Sequence, residues 1–162
     1  MKNATDVVTN RVNAHSNIFD NNTTKKAMVN SVTYSQKIDN KRIKADRSAP
    51  IGVFDSGIGG LSVYLHLAQQ LSDERYIYYA DTLHVPYGNR DSEDIKALTL
   101  AAVAWLYQQG CKLIVIACNS ASSYALETAR RYYLQLLIVG LVPALKPAVF
   151  ASKTHHVAVF AT

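Results

Sequence analysis

Cys118, Asn119 and Ser120 stand where a short apolar run ends and a helix-forming stretch begins. The run, Leu113–Ala117, is rich in β-branched side chains, which is typical of a strand buried on both faces of a parallel sheet. The carboxyl ends of such strands are where α/β proteins bind ligands. A thiol at this position can act as a nucleophile or carry a proton, because the N-terminus of the next helix favours the thiolate. The alternative is a buried, inert cysteine, and this motif alone leaves both interpretations open.

A second polar group follows an earlier apolar run, Ile51–Phe54. Asp55 and Ser56 begin a glycine-rich loop, and its glycines allow the backbone to approach a ligand closely. The loop lacks the glycine spacing of a dinucleotide fingerprint and the Gly-Lys-Ser/Thr of a Walker A loop. Asp55 argues against a phosphate ligand and favours an amino group or a proton-handling role. The alternative is a tight turn with a capping aspartate.

Two further loops follow predicted strands. The loop Ala80–Gly88 contains a proline and a glycine, which predict a turn that presents the Tyr87 hydroxyl and backbone amides to the site. His84 in this loop is a candidate acid or base, although a lone loop histidine is more often merely exposed. The loop Gly140–Ala144 contains a proline that fits the first turn of a helix. No C-x-x-C or H-x-x-x-H spacing predicts a metal site.

The elements that hold these loops alternate between strand and helix from Pro50 onward. The predicted strands are Ile51–Phe54, Tyr76–Tyr79, Leu113–Ala117, Leu136–Leu141 and Val157–Ala161. The predicted helices are Gly60–Leu71, Ser92–Gln109 and Ala121–Tyr133, with a short helix after Pro143. Strict alternation predicts an α/β fold in which helices flank both faces of a parallel sheet.

Charge divides the chain into two parts. The first 49 residues carry nine Lys or Arg and four Asp or Glu, whereas residues 50–162 carry eight of each kind. The predicted domain, residues 50–162, is therefore neutral, and its charge does not predict a nucleic-acid partner. Residues 1–49 have few large apolar side chains and no sustained periodicity, so we expect a disordered basic leader.

The sequence favours a cytoplasmic location. The leader lacks the features of a secretory signal or a mitochondrial transit peptide, and no run of 18 apolar residues predicts a membrane partner. Cys111 and Cys118 flank one strand, which would hold their Cα atoms roughly 23 Å apart at ~3.3 Å per residue, too far for a disulfide. Reduced thiols are typical of the cytoplasm.

Four motifs, in this order and spacing, resemble the glutamate racemase family of the aspartate/glutamate racemase superfamily. They are F-D-S-G-I-G-G-L-S-V (Phe54–Val63), Y-A-D-T-L-H-V-P-Y-G (Tyr79–Gly88), I-A-C-N-S-A-S (Ile116–Ser122) and G-L-V-P-A-L-K-P-A (Gly140–Ala148). The resemblance runs from about Ile51 to Thr162. It implies that residues 50–162 are the incomplete first lobe of a two-lobed α/β racemase fold.

The resemblance also implies a cofactor-independent proton transfer at the α-carbon of glutamate, which provides D-glutamate for peptidoglycan. In the family, two cysteines act on opposite faces of that carbon, and Cys118 matches the one that acts on D-glutamate. Asp55 matches a residue that binds the substrate and assists proton transfer. Ser120 stands where the family more commonly has Thr, and it keeps the hydroxyl. The other matched substrate-binding positions are Ser56, Tyr87, Gly88 and Asn119.

The family's second catalytic cysteine lies in a G-C-T-H motif, and these 162 residues contain no such motif. Cys111 cannot replace that cysteine, because it precedes its strand and lies at the opposite end of the sheet. We therefore expect this chain alone to be inactive as a racemase. The alternative is a non-catalytic module that binds a carboxylate or a protein partner. The oligomeric state, a homodimer included, and the preference for glutamate over aspartate stay open.

Overall fold

Five short strands form one parallel sheet in the part of the chain that the structure, a computed structural model, describes: residues 6–9 and 46–159. The strands are β1 (Asp6–Thr9), β2 (Ile51–Asp55), β3 (Tyr76–Ala80), β4 (Leu113–Ile116) and β5 (Leu137–Gly140). The helices are α1 (Leu61–Gln70), α2 (Ser92–Gln108), α3 (Asn119–Tyr132) and α4 (Leu145–Ala151), and a 3₁₀ turn covers Tyr87–Asn89.

The order of the strands across the sheet is β1-β3-β2-β4-β5, and all neighbouring pairs are parallel. The chain moves from β2 to β3 on one side and then crosses back to β4 on the other side. The order therefore reverses between β2 and β4, and such a reversal opens a crevice at the carboxyl ends of the two strands. Asp55 ends β2 at this crevice, and Cys118 lies just beyond the end of β4.

Both faces of the sheet are covered by helices. On one face, Phe54 and Ile116 pack with α2 and α3 in a cluster that also contains Leu106. On the other face, Val53 and Val115 pack with α1. Successive residues of β2 thus point to opposite faces, and each side chain is buried, which explains why the strand sequence is continuously apolar.

The predicted α/β class with a parallel sheet is confirmed, and four predicted strands and three predicted helices lie within two residues of their predicted bounds. The helix after Pro143 is also present, as α4. The start of α3 differs most, because the helix begins at Asn119 with Cys118 as its N-cap. No helix in the two described ranges is long and apolar enough to cross a membrane.

The predicted strand Val157–Ala161 is wrong for residues 157–159, and its last two residues lie outside the described ranges. Val157, Ala158 and Val159 are exposed and do not belong to the sheet. The alternation of apolar residues suits a strand, but strand geometry is stabilised only where the backbone pairs with a neighbouring strand. Residues 152–159, the described part of the chain after α4, form no strand beside β5.

The leader departs in part from the expected disorder. Residues 6–9 form β1, which pairs with β3 from Asp6↔Ile77 to Thr9↔Ala80. The rest of the leader, residues 1–5 and 10–45, lies outside the described residues, and disorder there stays a prediction. At the end of the leader, Lys112 Nζ donates hydrogen bonds to the Arg47 carbonyl and the Glu74 carboxylate, which hold Arg47 beside the start of β4.

Candidate active site

Backbone hydrogen bonds hold the loops beyond three neighbouring strands in register. The Asp81 N–H donates to the Asp55 carbonyl at 3.0 Å, and the Ala117 N–H donates to the Phe54 carbonyl at 2.7 Å. The ladder bonds of the sheet therefore continue for one residue past the strands. Asp55, Asp81 and Cys118 consequently lie together where the carboxyl ends of these parallel strands meet. We call this end of the sheet the carboxyl edge.

The Cys118 thiol lies between two of the predicted loops. Its side chain caps α3, and the sulfur accepts a hydrogen bond from the Ala121 N–H at 3.5 Å. The Ser56 hydroxyl lies 3.3 Å from the same sulfur. Cys118 is 8% exposed, so the sulfur is screened from bulk water. Both groups can donate a hydrogen bond to the sulfur, which also lies at the N-terminus of α3.

Asp55 is buried at the end of β2, at the base of the glycine-rich loop. Its Oδ2 accepts a hydrogen bond from the Gly57 N–H at 3.0 Å, which is the turn-capping contact that the sequence left open as an alternative. The Tyr78 hydroxyl donates to the Gly57 carbonyl at 3.4 Å. Burial, with a smaller contribution from the Asp55 charge, raises the pKa of Tyr78 far above its usual range, so this phenol remains a neutral donor.

The sequence suggested that the Tyr87 hydroxyl is presented to the site. In the structure this hydroxyl is instead occupied by a protein partner. Tyr87 is 2% exposed, and its hydroxyl donates to Asp81 Oδ2 at 2.7 Å. Burial raises its pKa most, and the hydrogen bond and charge of Asp81 and the nearby Cys118 raise it further. The phenol proton is therefore used in the hydrogen bond to Asp81. What this segment offers a ligand is the backbone of Tyr87 and of the exposed Gly88.

Asn119 and Ser120 are the first two residues of α3 and directly follow Cys118, its N-cap. Asn119 is exposed and Ser120 is partly exposed. The first backbone amides of a helix have no intrahelical acceptor and attract anions, so this helix start is suited to a carboxylate. His84 is partly exposed and lies against Asp81, with its Nδ1 2.7 Å from Oδ1.

Sequence reasoning assigned no role to Asp81, although its carboxylate is buried and contacts both His84 and Tyr87. A usable signal exists in the sequence, because Asp81 follows β3 just as Asp55 ends β2. Among residues 46–159, no group of three or more His, Cys, Asp or Glu side chains is placed to hold a metal ion.

Cys111 lies at the other end of β4, before the strand begins, and both cysteines are free thiols. It is 4% exposed and packs against Gly52, where an added Cβ would lie 3.1 Å from its sulfur. Burial raises the pKa of Cys111 to about 11. This thiol is therefore neutral at physiological pH and remote from the edge that carries Cys118.

Alkylation should separate the two thiols. At pH 8 only roughly one Cys111 in 10³ is ionised, because its pKa is about 11, whereas Cys118 lies at the N-terminus of α3 within reach of the Ser56 hydroxyl. We expect iodoacetamide to modify Cys118 at least about tenfold faster than Cys111, measured by peptide mass spectrometry under native conditions. The Cys118→Ala chain is the control and should take up label slowly. Preferential labelling of Cys111 would contradict the assigned environments.

Known proteins resemble this chain in both sequence and structure, although no family model matches it. A curated glutamate racemase from Deinococcus radiodurans is 56% identical over 119 residues, which are 73% of this chain and 41% of that protein. A glutamate racemase from Clostridium perfringens is 47% identical over 116 residues, 72% of this chain and 45% of that protein.

Solved structures give the same result. An Escherichia coli glutamate racemase, in complex with L-glutamate and the activator UDP-MurNAc-ala, matches 65% of this chain and 40% of its own with a TM-score of 0.61 and 37% identity. Glutamate racemase from Aquifex pyrophilus matches 64% of this chain and 41% of its own with a TM-score of 0.59 and 36% identity.

The chain spans less than half of the length of the curated relatives that it matches. Within that span, sequence identity and fold agree, and identities of 47% and 56% over more than 110 residues are far beyond a likeness of fold alone. The resemblance to glutamate racemases is thereby confirmed. This chain matches part of the length of such a protein.

Proposed function

We propose that this chain supplies one side of the active site of a cofactor-independent glutamate racemase, an isomerase that interconverts L- and D-glutamate. The observation that carries the proposal is the environment of the Cys118 sulfur, which lies within reach of the Ser56 hydroxyl and the Ala121 amide at the carboxyl edge of the sheet. That environment occurs in a segment that is 56% identical to a glutamate racemase.

In the proposed reaction, the Cys118 thiolate takes the proton from the α-carbon of D-glutamate. The carbon–hydrogen bond breaks, a sulfur–hydrogen bond forms, and the electron pair stays on the α-carbon, delocalised into the adjacent carboxylate. A second thiol then gives its proton to the opposite face of the carbon, which yields L-glutamate. Ser56 and Ala121 stabilise the thiolate before transfer, and burial of the sulfur keeps water from competing for the proton.

The remaining residues of this edge are proposed to bind and orient the substrate. The Asp55 carboxylate lies where it can attract the substrate ammonium group and assist the proton transfer. The amides at the start of α3, with Asn119 and Ser120, suit one carboxylate of glutamate. The backbone of Tyr87 and Gly88 suits further contacts with the substrate. This division gives the ammonium group and one carboxylate of glutamate a partner of opposite polarity.

The second thiol has no candidate among these 162 residues. The sequence contains two cysteines, and Cys111 is buried beyond the opposite end of β4 with its pKa raised to about 11. We therefore propose that racemisation requires a thiol from outside this sequence. In this proposal glutamate is the small molecule that the site binds. The D-glutamate that is formed serves peptidoglycan synthesis in the cytoplasm.

Joining the chain to a complementary segment tests this proposal. The joined chain consists of residues 1–162 followed by the part of the Deinococcus radiodurans enzyme that comes after the matched segment. We expect the joined chain to convert L-glutamate to D-glutamate and the 162-residue chain to show less than about 1% of that rate, because removing one acid–base group costs 10²–10⁴-fold. The measurement is circular dichroism of the glutamate produced.

Each outcome of this comparison is informative. Racemisation by the 162-residue chain alone would contradict the need for an outside thiol. A folded joined chain that binds glutamate without racemising it would favour the alternative function, a non-catalytic carboxylate-binding module, which the presence of a single thiol at this edge also suits. A folded joined chain that neither binds nor racemises glutamate would refute the racemase proposal.

A further inference from the structure

The buried carboxylate of Asp81 contacts two side chains from the loop that follows it. Asp81 is 7% exposed, and its Oδ2 accepts the Tyr87 hydroxyl proton at 2.7 Å. His84 Nδ1 lies 2.7 Å from Oδ1 and 3.0 Å from Oδ2. A carboxylate can only accept, so the His84 ring must carry its proton on Nδ1. Both carboxylate oxygens therefore act on the segment that contains Tyr87.

The same residue is also tied to the Asp55 loop. The Asp81 N–H donates to the Asp55 carbonyl at 3.0 Å, and its own carbonyl accepts from the His84 N–H at 3.3 Å. The Arg90 Nε donates to the His84 carbonyl at 2.6 Å, which fixes the far end of the segment. Asp81 thus links the loop after β2 to the loop after β3 through its backbone and its side chain together.

A structural turn alone would not require this arrangement. An aspartate that only stabilises a turn accepts from nearby backbone amides, as Asp91 does from the Glu93 N–H at 3.4 Å. Asp81 instead accepts from the end of a buried aromatic side chain six residues later, at a short charge-assisted distance. The Tyr87 ring is buried in the apolar cluster that also contains Phe54 and Cys118, so its hydroxyl and the buried Asp81 carboxylate each supply a partner that the apolar surroundings of the ring do not.

We propose that Asp81 is a positioning residue for glutamate binding, because its carboxylate fixes the Tyr87–Gly88 backbone next to the Cys118 thiol. This inference rests on the proposed function, since glutamate is the ligand that the segment would contact. Asp81 itself does not touch the substrate. Its effect passes through the Tyr87 hydroxyl, so removal of that hydroxyl should make the Asp81 side chain nearly irrelevant to binding.

The test uses the 162-residue chain and the rate at which iodoacetamide modifies Cys118. D-Glutamate should protect the thiol, and the half-protecting concentration measures binding without need of turnover. We expect Asp81→Ala to raise that concentration roughly tenfold, as loss of a charge-assisted hydrogen bond implies. Asp81→Asn keeps one acceptor oxygen for Tyr87 and should raise the concentration only about threefold. Asp91→Ala, which removes an exposed carboxylate from the same part of the chain, is the matched control.

Two readouts distinguish positioning from general stability. The slowly exchanging hydroxyl proton of Tyr87, observed by NMR, should be present in the unsubstituted chain and in Asp81→Asn but absent in Asp81→Ala. In a Tyr87→Phe background, Asp81→Ala should change the half-protecting concentration less than about twofold, because both substitutions remove the Tyr87–Asp81 hydrogen bond and Asp81→Ala then removes only the contact with the partly exposed His84.

The possible results separate this inference from the proposed function. If Asp81→Ala weakens protection no more than Asp91→Ala, or weakens it equally with and without the Tyr87 hydroxyl, the positioning role is wrong. If D-glutamate does not protect the unsubstituted chain or the joined chain, the proposed function fails. In that case the NMR signal still decides whether Asp81 holds the Tyr87 hydroxyl.

Discussion

Replacing Cys118 by serine in the joined chain should reduce the rate of glutamate racemisation by roughly 10³-fold or more. Serine fits the space and can keep the contacts with Ser56 and the Ala121 amide. Its hydroxyl, however, is far less acidic than a thiol, so the alkoxide needed to take the α-proton is almost never present. The chemistry should therefore be lost while the architecture of the edge is retained.

Two measurements and a control variant make this experiment specific. Circular dichroism of the product gives the racemisation rate, and the concentration of D-glutamate that protects the chain from urea unfolding gives its binding, which should change less than about threefold. The matched control is Cys111→Ala, which removes the other thiol at the opposite end of β4 and should leave the rate within about twofold. A Cys118→Ser rate close to that of the control would remove Cys118 from the mechanism.

The sequence was informative where one residue pattern has one structural solution. Leu113–Ile116 is buried on both faces, so a continuous apolar run predicted β4 and its direction, and the polar residues that follow had to lie at its carboxyl end. The same reasoning placed Asp55 at the end of β2. Since parallel strands end at one edge, the proximity of these two loops followed from the fold class without knowledge of any contact.

Side-chain partners were less predictable, because they depend on choices that local sequence does not determine. The Tyr87 hydroxyl had two available partners, a ligand or a buried carboxylate. In the structure the Tyr87 ring packs near Phe54 and its hydroxyl donates to Asp81, and this tertiary contact is not encoded in the local sequence. The pairing of β1 with β3 joins segments about 70 residues apart, and no periodicity within residues 1–49 indicates it. The apolar residues at 157–159 illustrate the converse, since a strand-like pattern forms no strand without a neighbour.

A single methyl group at Gly60 should destabilise the fold by about 1–3 kcal/mol. The backbone of Gly60 has φ −67° and ψ −7°, which alanine adopts readily, so any cost is steric. An added Cβ would lie 2.8 Å from the Asp55 Cβ, 2.9 Å from the Ala117 Cβ and 3.0 Å from the Tyr78 hydroxyl oxygen. The two Cβ atoms are fixed to the ends of central strands and cannot move aside, so α1 or the Asp55 loop must shift.

Gly59→Ala is the matched control, because its added Cβ would meet only Asp55 Oδ2, at 3.9 Å, and should change stability by less than about 0.5 kcal/mol. The measurement is urea unfolding followed by the fluorescence of Trp105, the one tryptophan of the chain, whose ring lies 5.3 Å from that of Tyr79. Gly60→Ala should lower the midpoint without changing the slope. In the joined chain it should also slow racemisation, since the carboxylate and the thiol are held by the strand ends that the methyl group separates. Equal midpoints for the two variants would mean that this close packing is not what holds Asp55 beside Cys118.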